Sequence, residues 1–588
     1  ARVQPAVVWA DLEQEVAKKG LALCTYPSSA PSATVGGWLA QGGVGYGCFE
    51  YGAFRENIVA ARVVLPNGEV RTFEGDDLDL ISDAEGITGF ITEVTLRVRH
   101  LDVSQVWAVR FDSADEVAAA IQELIEAKAP LWSVSFINPT MARLKNQVPP
   151  KLEHGHPVEE QRPTMPDGYT ALFVAATQCW EAAEALIGRI VEAHGGELLS
   201  QEIAHHEWEE RFNLMHVKRL GPSLLPSEVV LPIEKLGAAL DEIDQAVRQP
   251  LVMEGMANGN GEVTLLGFIP HDERKFGYNL AFGLALTICK IAEKYGGHPY
   301  ATGCFFGRKA EAVLGAERVR KLDTFKQQVD PIGIMNPGKV LGFRTLDTFM
   351  GLARTFEPLI RVMGNSFRSP TEERISGQGK RGIPDDVAWY AYACAQCGYC
   401  VDECDQYYGR GWESESPRGK WFFLREFMEG RARMTQDWVD NFMACTTCEV
   451  CNVKCPLKLP IEPAWLEMRG GLIHEGGRLT FPPFYIMQAS LRKERNIWAS
   501  YSKDRSAWVP EELEDQIRWR ADIGYFPGCT ASYVETDVAQ GTAQLLHAAG
   551  VEFTYMGDGE ACCGLPMLVS GMWDAWEEIL RHNVAGMK

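Results

Sequence analysis

The stretches 394-CAQCGYCVDEC-404 and 445-CTTCEVCNVKC-455 repeat one cysteine spacing, C-x2-C-x2-C-x3-C, and Pro456 follows the second of them. Three thiolates separated by two residues can wrap around one corner of a [4Fe–4S] cubane. The fourth, three residues further on and at the start of a helix, usually binds the other cluster. The duplicated spacing therefore predicts two [4Fe–4S] clusters close enough for electron transfer. The predicted ligands are Cys394, Cys397, Cys400, Cys404, Cys445, Cys448, Cys451 and Cys455.

Two other uses of closely spaced cysteines explain less of this pattern. A zinc ribbon takes four ligands in two CxxC pairs and leaves the regular third and fourth cysteines of each run without a role. Disulfides stabilise small domains in oxidising compartments, and this chain has 588 residues. The cysteines therefore indicate a protein that transfers electrons.

The composition is that of a globular protein with room for roughly three to five domains. Hydrophobic residues make up 46% and charged residues 23% of the chain, and the formal net charge is −22. Such an acidic balance argues against nucleic acid and anionic membrane surfaces as partners. The longest apolar stretch, around residues 280–288, is about half of what spans a bilayer. Sixteen cysteines, half of them in the two runs, indicate a reducing compartment. We therefore expect a cytoplasmic protein, either free or held at a membrane by a partner.

Hydrophobic periodicity and turn residues predict a multidomain fold. It consists of an α+β domain, a second α+β domain that caps it, an α-helical ferredoxin-like domain and the start of an α/β domain. The predicted segments are 1–105, 106–345, a linker 346–386, the ferredoxin-like block 387–470, a connector 471–521 and the last domain 522–588. The predicted elements include strands at 59–65, 69–73, 91–98, 169–176 and 523–526, and helices at 115–127, 180–194, 278–295 and 418–429.

Glycines are bunched between the predicted strands of the first domain. Their backbone N–H groups can approach a pyrophosphate closely, although each cluster alone also suits a tight turn. In this order the runs 27-PSS-29, 34-TVGG-37 and 85-EGITGFIT-92 resemble the FAD-binding domain of the vanillyl-alcohol oxidase superfamily, in the branch of glycolate oxidase and D-lactate dehydrogenase. There, the first two runs lie along the diphosphate and the third beside the adenine and ribose. The resemblance implies FAD contacts from Ser28, Ser29, Thr34, Gly36, Gly37, Gly86, Gly89 and Ile91.

The run 330-DPIGIMNPGK-339 resembles the closing signature of the FAD-linked oxidase cap domain. In the family this run returns the chain to the flavin, which implies that Asn336 and Lys339 lie near the isoalloxazine. Asn-Pro-Gly is also a favourable turn by itself.

The chain departs from this family where the family carries histidines. The hydroxy-acid dehydrogenases have an HxxGDGNxH-like run, whose histidines hold a divalent metal, and a TGEHG run, whose histidine contacts the substrate side of the flavin. Here 255-GMANGNGE-262 and 302-TGCFFG-307 occupy the corresponding places, and neither contains a histidine. We therefore expect no catalytic divalent metal in the cap domain. Oxidation of a 2-hydroxy acid would need another base.

Three residues are candidates for catalysis at the flavin. His298 is the nearest histidine in sequence to the altered run, and Tyr300 is a possible partner for it. Arg211 ends 208-WEER-211, which resembles a W-x-x-R run of the family in which the arginine could pair with a carboxylate. His205, His206 and His216 lie upstream, and each single histidine also suits a structural role.

The C-terminal third resembles iron–sulfur proteins of glycolate oxidase and heterodisulfide reductase. Between the cysteine runs, 416-SPRG-419 resembles their linker, where Arg418 could neutralise cluster charge or remain a solvated helix arginine. The residues 525-YFPGC-529 and 562-CCG-564 resemble the first half of a CCG domain. The resemblance implies a further cluster site at Cys529, Cys562 and Cys563, with free thiols as the alternative. It also implies that the flavin and CCG domains are incomplete here or completed by partners.

These blocks together resemble a glycolate oxidase flavin subunit fused to its iron–sulfur subunit. The resemblance implies an oxidoreductase with FAD, two [4Fe–4S] clusters and a CCG site, which passes electrons from a D-2-hydroxy acid such as glycolate or D-lactate to an acceptor. The alternative is an electron-relay or bifurcating subunit of a heterodisulfide-reductase-like complex, without hydroxy-acid chemistry. Expected partners are an electron-transfer flavoprotein, a ferredoxin, heterodisulfide-reductase-like subunits or a quinone, within a larger complex.

Overall fold

The computed structural model describes residues 1–150, 152–153, 156–157, 162–303, 305–341, 351–367, 379–518 and 520–588. Ala1–Lys151 and Val158–Arg374 form one compact unit, and Leu152–Pro157 and Ile375–Lys588 form a second. Cys304 and the predicted linker residues 346–350 and 368–378 lie outside the described part. No helix in the described ranges is long and apolar enough to cross a membrane.

The first domain is built on a four-stranded antiparallel sheet. Its strands, in spatial order, are Arg2–Val3, Phe90–Leu96, Ile58–Val64 and Val70–Glu74. Leu21–Leu23 pairs separately with Val98–His100. The helices are Trp9–Ala17, Val35–Gln41 and Cys48–Tyr51. The buried rings of Trp9, Trp38 and Phe54 pack between helix and sheet, with the Trp38 and Phe54 rings stacked at 4.5 Å between centroids.

The cap domain contains an eight-stranded antiparallel sheet. Its order is Glu197–Leu198, Ser104–Phe111, Tyr169–Ala176, Ser133–Ile137, Val252–Ala257, Glu262–His271, Ser223–Pro232 and His298–Pro299. The helices of this domain are Ala114–Glu126, Pro139–Gln147, Trp180–Ala193, Gln201–Glu209, Leu236–Ala246, Phe276–Ala281, Leu284–Lys294, Ala310–Leu314, Ala316–Val329 and Glu357–Ser366. Local chemistry sets several of their starts. Ser113 forms a capping box with Glu116, and the side chain of Asn138 accepts the N–H of Met141 ahead of Pro139.

The single helix predicted at 278–295 is wrong in one respect, because the structure has two helices there, Phe276–Ala281 and Leu284–Lys294. A side chain on Gly283 would overlap Ile360, so the backbone bends where the helix Glu357–Ser366 packs closely against it. Glu357, in the predicted linker, accepts hydrogen bonds from Thr287 and Lys290 at 2.8 and 3.1 Å. This part of the linker therefore belongs to the first unit.

The second unit is mostly helical and contains one two-stranded parallel sheet, Ile523–Tyr525 with Phe553–Tyr555. The hairpin Leu152–Glu153 with His156–Pro157 is grouped with it. The α-helices are Asp385–Ala393, Asp405–Arg410, Pro417–Met428, Gln436–Met443, Val450–Lys454, Ile461–Gly470, Pro482–Glu494, Gly528–Tyr533, Thr536–Ala548, Leu565–Val569 and Trp573–Met587. Strand, helix and strand in that order confirm the start of an α/β domain.

Two expectations about this unit need correction. Cys404 precedes the helix Asp405–Arg410 as predicted, but Cys455 ends the short helix Val450–Lys454 and starts none. Pro456 and Pro460 follow it, and their missing N–H groups do not support a helix there. The predicted connector is structured, because its Trp508 packs in the same buried cluster as Phe553.

Candidate cofactor and electron-transfer sites

An open cleft lies in the first unit, between the glycine-rich loops and the edge of the large sheet. Its lining includes Gly42, Gly43, Asp83, Glu85, Asn258, Glu262, His298, Tyr300, Thr302 and Arg318. The described lining brings together two of the three predicted catalytic residues, His298 and Tyr300. It contains none of the residues predicted to bind FAD, which lie in neighbouring segments.

Two glycines keep one wall of the cleft low. Gly42 and Gly43 have φ of +81° and +130°, values that L side chains rarely adopt. A Cβ on Gly42 would overlap the carboxylate of Asp83, and a Cβ on Gly43 would overlap the hydroxyl of Tyr300. A bare backbone at this position suits the close approach of a flat cofactor. Neither glycine was singled out for binding by sequence, although both belong to the glycine-rich runs.

Glu85 joins the segments around the cleft. Its Oε1 accepts the hydroxyl of Thr302 at 2.5 Å and the N–H of Gly303 at 2.7 Å. Its carbonyl oxygen accepts Nδ2 of Asn336 at 2.6 Å, and Nζ of Lys339 lies 3.2 Å from Oε2. Asn336 and Lys339, predicted to lie near a flavin, therefore contact the run 85–92 that was predicted to bind the same cofactor.

The predicted diphosphate run has its amide groups bonded within the fold. The hydroxyl of Thr34 accepts the N–H of Gly37 at 3.1 Å, and the N–H of Gly36 donates to Pro5 at 2.8 Å. A Cβ on Gly36 would overlap Pro5, so packing alone requires glycine there. These N–H groups are not free donors, contrary to the reason given for them from sequence. FAD binding by Ser28, Ser29, Thr34, Gly36 and Gly37 stays a prediction.

The remaining predicted FAD residues surround the run at Glu85. Gly86 has φ of +70°, and a Cβ there would lie 3.0 Å from Nδ2 of Asn336. A Cβ on Gly89 would lie 2.7 Å from the carbonyl oxygen of Val64. Ile91 is half-buried in its strand. The glycines of this run thus allow close contact between chain segments, and their role toward a nucleotide stays a prediction.

The two predicted catalytic residues on the cleft differ in what they can do. Burial, and next the carboxylate of Glu228, raises the pKa of Tyr300, so its hydroxyl stays protonated and can donate a hydrogen bond. Nδ1 of His298 lies 2.8 Å from the carbonyl oxygen of Pro299, which orients the ring and leaves Nε2 as the other ring nitrogen.

Arg211 lies elsewhere in the same unit, on a small buried cavity. Its guanidinium packs over the rings of Trp208 and Phe212 at 4.2 and 4.3 Å, and Nη1 donates to the carbonyl oxygen of Trp208 at 2.7 Å. The described lining of the cleft does not include it. The structure therefore does not bring the predicted carboxylate-binding arginine together with His298 and Tyr300.

The cavity beside Arg211 holds a carboxyl that sequence reasoning missed. Glu254 is buried, and its Oε1 accepts the hydroxyl of Tyr46 at 2.9 Å. Burial raises the pKa of Glu254 to about 8. Lys145 pairs with Glu207 on the same cavity. A glutamate on a strand between apolar residues carries no sequence signal that separates it from a solvent-facing one.

In the second unit the cysteines of the two runs cross over. Burial raises the pKa of Cys400, and Cys394, Cys455 and Cys397 raise it further, so these four thiols face one another. Burial likewise raises the pKa of Cys451, followed by Cys445, Cys448 and Cys404. Each set therefore contains three cysteines of one run and the fourth cysteine of the other, which fits two cubanes.

A single metal ion would not need this arrangement. Within the described ranges, no group of three or more His, Cys, Asp or Glu side chains is placed to hold one ion. A cubane distributes its four thiolates over four irons, so its ligands stand further apart than those of one ion.

The cysteine-rich site brings its three predicted ligands onto two loops. Sγ of Cys529 and Sγ of Cys562 are 3.5 Å apart, and Cys563 is exposed. The hydrogen bond from Cys562 lowers the pKa of Cys529 to about 6, which favours the thiolate needed for metal binding. Arg505 and Glu560, both buried, pair at 2.8 Å, and Glu560 accepts the N–H of Gly528 at 3.1 Å. This ion pair fixes the two loops together and was not predicted.

Four family models match the chain. They are the FAD binding domain at residues 1–74, the C-terminal domain of FAD linked oxidases at 101–340, the 4Fe-4S dicluster domain at 393–460 and the cysteine-rich domain at 523–588. These matches confirm the resemblance and the fold class predicted from sequence.

Curated relatives match different parts of the chain. The D-type polypeptide of dihydromethanophenazine:CoB–CoM heterodisulfide reductase from Methanosarcina mazei is 31% identical over 33% of this chain and 52% of its own length. The mitochondrial cytochrome-type D-lactate dehydrogenase of Arabidopsis thaliana is 25% identical over 58% of this chain and 61% of its own. The GlcD polypeptide of glycolate oxidase from Bacillus subtilis is 24% identical over 58% and 75%. The chain spans about half the length of the heterodisulfide reductase polypeptides it matches.

Among solved structures, alkyldihydroxyacetonephosphate synthase has a TM-score of 0.45 and 17% identity, over 57% of this chain and 64% of its own.

Proposed function

We propose that this chain, an FAD- and iron–sulfur-dependent oxidoreductase by its domains, passes electrons between an organic donor and an acceptor through two [4Fe–4S] sites and the cysteine-rich site. The observation that supports it most directly is the crossing of the two cysteine runs into sets of four. A D-2-hydroxy acid such as glycolate or D-lactate is the proposed donor.

When bound, FAD would supply two-electron acceptance from the donor, and the clusters would supply one-electron transfer. The cleft residues would do the remaining work. Gly42 and Gly43 leave room for a ring against the backbone. Tyr300 keeps its proton on the hydroxyl oxygen and can donate a hydrogen bond. Nε2 of His298 is the atom placed to accept the proton that a hydroxyl group loses.

The test is anaerobic mixing of the purified full chain with glycolate, D-lactate and D-2-hydroxyglutarate, with flavin absorbance as the readout. We expect at least one acid to bleach the flavin, and His298→Gln to slow that bleaching at least about tenfold, a modest value for loss of a general base. If no acid reduces the flavin while dithionite does, the hydroxy-acid donor is wrong.

A second candidate function is an electron relay in a heterodisulfide-reductase-like complex, with a protein partner supplying the electrons. It is favoured by the position of Arg211, which lies outside the cleft lining, and by the lack of histidine in 255–262. In this case a reduced ferredoxin or electron-transfer flavoprotein should reduce the chain anaerobically when no hydroxy acid does. Arg211→Met should then leave the reduction unchanged.

A further inference from the structure

A buried lysine lies beside the cysteine set Cys404, Cys445, Cys448 and Cys451. Lys420 lines the same small cavity as these cysteines, and only 1% of it is exposed. Its Nζ donates to Oε1 of Gln406 at 2.6 Å and to the carbonyl oxygen of Glu415 at 2.8 Å. Both acceptors are uncharged, so the ammonium charge is left to act on the thiolates around it.

A second buried cation supports the same set from the opposite run. Arg469, also 1% exposed, donates to the carbonyl oxygen of Cys445 at 2.5 Å and to that of Phe442 at 3.0 Å. It also donates to Met443 and to Val569, again at main-chain oxygens. An arginine keeps its charge in a protein, so a full positive charge is buried against the chain that carries Cys445.

The set Cys394, Cys397, Cys400 and Cys455 has a weaker counterpart. Arg418 acts on Cys397, but its side chain is 33% exposed and pairs with Glu413 at 2.5 Å. Solvent and the ion pair both reduce what an exposed charge contributes.

Buried carboxylates near the other set reduce the difference without cancelling it. Glu462 lines the cavity with Lys420, and Glu415 contacts Gln406. Glu415 in turn has Arg410 at 3.5 Å. Together with Lys420 and Arg469, three cations face these two carboxylates.

Further acidic residues on the same cavity are open to solvent or partly so. Glu403 and Asp405 are exposed, and Glu403 pairs with Lys454 at 2.7 Å. Glu449 is half-buried. Water screens exposed charges more strongly than buried ones, so the two buried cations dominate the field at this set.

We propose that Lys420 and Arg469 make the cluster on Cys404, Cys445, Cys448 and Cys451 the one of higher reduction potential, so that a single electron in this domain resides there. One-electron reduction adds one negative charge to the cluster and needs no proton, and a nearby buried positive charge stabilises that more negative state. This inference rests on the two ligand sets of the proposed function.

The test begins with the wild-type full chain, purified anaerobically and titrated with dithionite under EPR. Cys397→Ser and Cys448→Ser assign the two signals to their sets. We expect the signal lost in Cys448→Ser to be the one that forms at higher potential. Iron analysis separates the two possible failures. About eight irons support the ligand sets, and clearly fewer would refute those sets rather than the order of potentials.

Lys420→Met then removes the charge while keeping a side chain of similar length. We expect the equilibrium for reducing the assigned cluster to fall about tenfold, which for one electron is about 59 mV toward lower potential, with a smaller change in the other signal. Lys420→Arg should restore the potential. Lys493→Met, at an exposed lysine of the same unit, should change neither signal.

Two results would overturn the proposal. One is a wild-type protein in which the Cys448 signal forms at the lower potential. The other is an unchanged potential in Lys420→Met with both clusters retained. If Lys420→Met loses iron, the wild-type order and the Lys420→Arg variant decide.

Discussion

At the scale of single residues, the most unusual group in the first unit is the carboxyl of Glu254. Its Oε1 has one donor, the hydroxyl of Tyr46, and its Oε2 has no hydrogen-bond partner. Burial is the main reason that its pKa rises to about 8, and Lys145 opposes the rise only in part. At neutral pH the folded protein therefore holds a proton on Glu254 that the unfolded chain would release.

This predicts a pH-dependent stability difference. Because the pKa in the folded state lies above the unfolded value of 4.5, the unfolded state loses its proton first, and stability falls as the pH rises toward about 8. The slope contributed is ~1.4 kcal/mol per pH unit. Glu254→Gln removes this term and keeps an acceptor for Tyr46. We expect the variant to match wild type near pH 4.5 and to be more stable by on the order of several kcal/mol near pH 8, measured by thermal unfolding.

Glu234→Gln is the control, since Glu234 is an exposed glutamate of the same unit. It should show no difference that grows with pH. A constant offset for Glu254→Gln at every pH would mean that Glu254 is ionised in the folded protein.

Residue-level roles were also the hardest to predict from the sequence. The W-x-x-R run correctly drew attention to Arg211 as a half-buried arginine among aromatic rings, but not to which cavity it lines. Its neighbours Tyr26 and Tyr46 come from positions far away in the chain. Arg469 and its acceptor Val569 are likewise separated by 100 positions. Spacing along the chain carries no information about such contacts.

At the scale of elements, the cysteine spacing encoded its own geometry. A run of eleven residues is short enough that the spacing fixes where three thiols point, so the crossing of Cys404 and Cys455 could be predicted. The turn after Cys455 could not, because it depends on how Pro456 and Pro460 fit against the following helix, Ile461–Gly470.

The crossing predicts which substitutions act on the same cluster. Cys404→Ser should change the same low-temperature EPR signal as Cys448→Ser, and Cys455→Ser the same signal as Cys397→Ser. The thiol environments of Cys400 and Cys451 are the reason. Cys179→Ser, at a half-buried cysteine in the cap domain, is the control and should affect neither signal. If each fourth cysteine instead changed the signal of its own run, the crossing would be wrong.

The loop at Gly43 makes a prediction about the flavin. A methyl group in Gly43→Ala would displace the hydroxyl of Tyr300 and would also strain a backbone with φ of +130°. We expect the purified variant to bind FAD at least about tenfold more weakly, measured by titrating the flavin-free protein with FAD. Gly68→Ala also has positive φ but nothing within 4 Å of the new Cβ, so it should lose some stability and keep its FAD affinity. Equal FAD affinity in both variants would remove Gly43 from the cofactor site.

At the scale of the whole molecule, the domain order was predictable because each domain carries its own local pattern, either a cysteine run or a glycine-rich run. What the patterns could not supply is the donor of electrons. That question depends on whether the cap domain offers a metal-assisted hydroxy-acid site.

We predict that the cap domain does not use a catalytic divalent metal. The remaining candidate ligands are His271, His298 and Glu262, and the strand Glu262–His271 puts two of them at opposite ends of ten residues. At about 3.3 Å per residue these ends are roughly 30 Å apart, so they cannot share one ion. His298 and Glu262 both line the cleft, but two ligands fall short of the three that a catalytic site usually takes from the protein.

Brief treatment with EDTA should therefore leave substrate-driven flavin reduction at its original rate, provided that iron analysis shows the clusters intact. The same treatment with added zinc or manganese should make no difference either. Loss of reduction with EDTA and its recovery with zinc or manganese would instead place a metal at His298 and Glu262. The donor would then be a hydroxy acid activated by that metal, and the relay function would lose its main support.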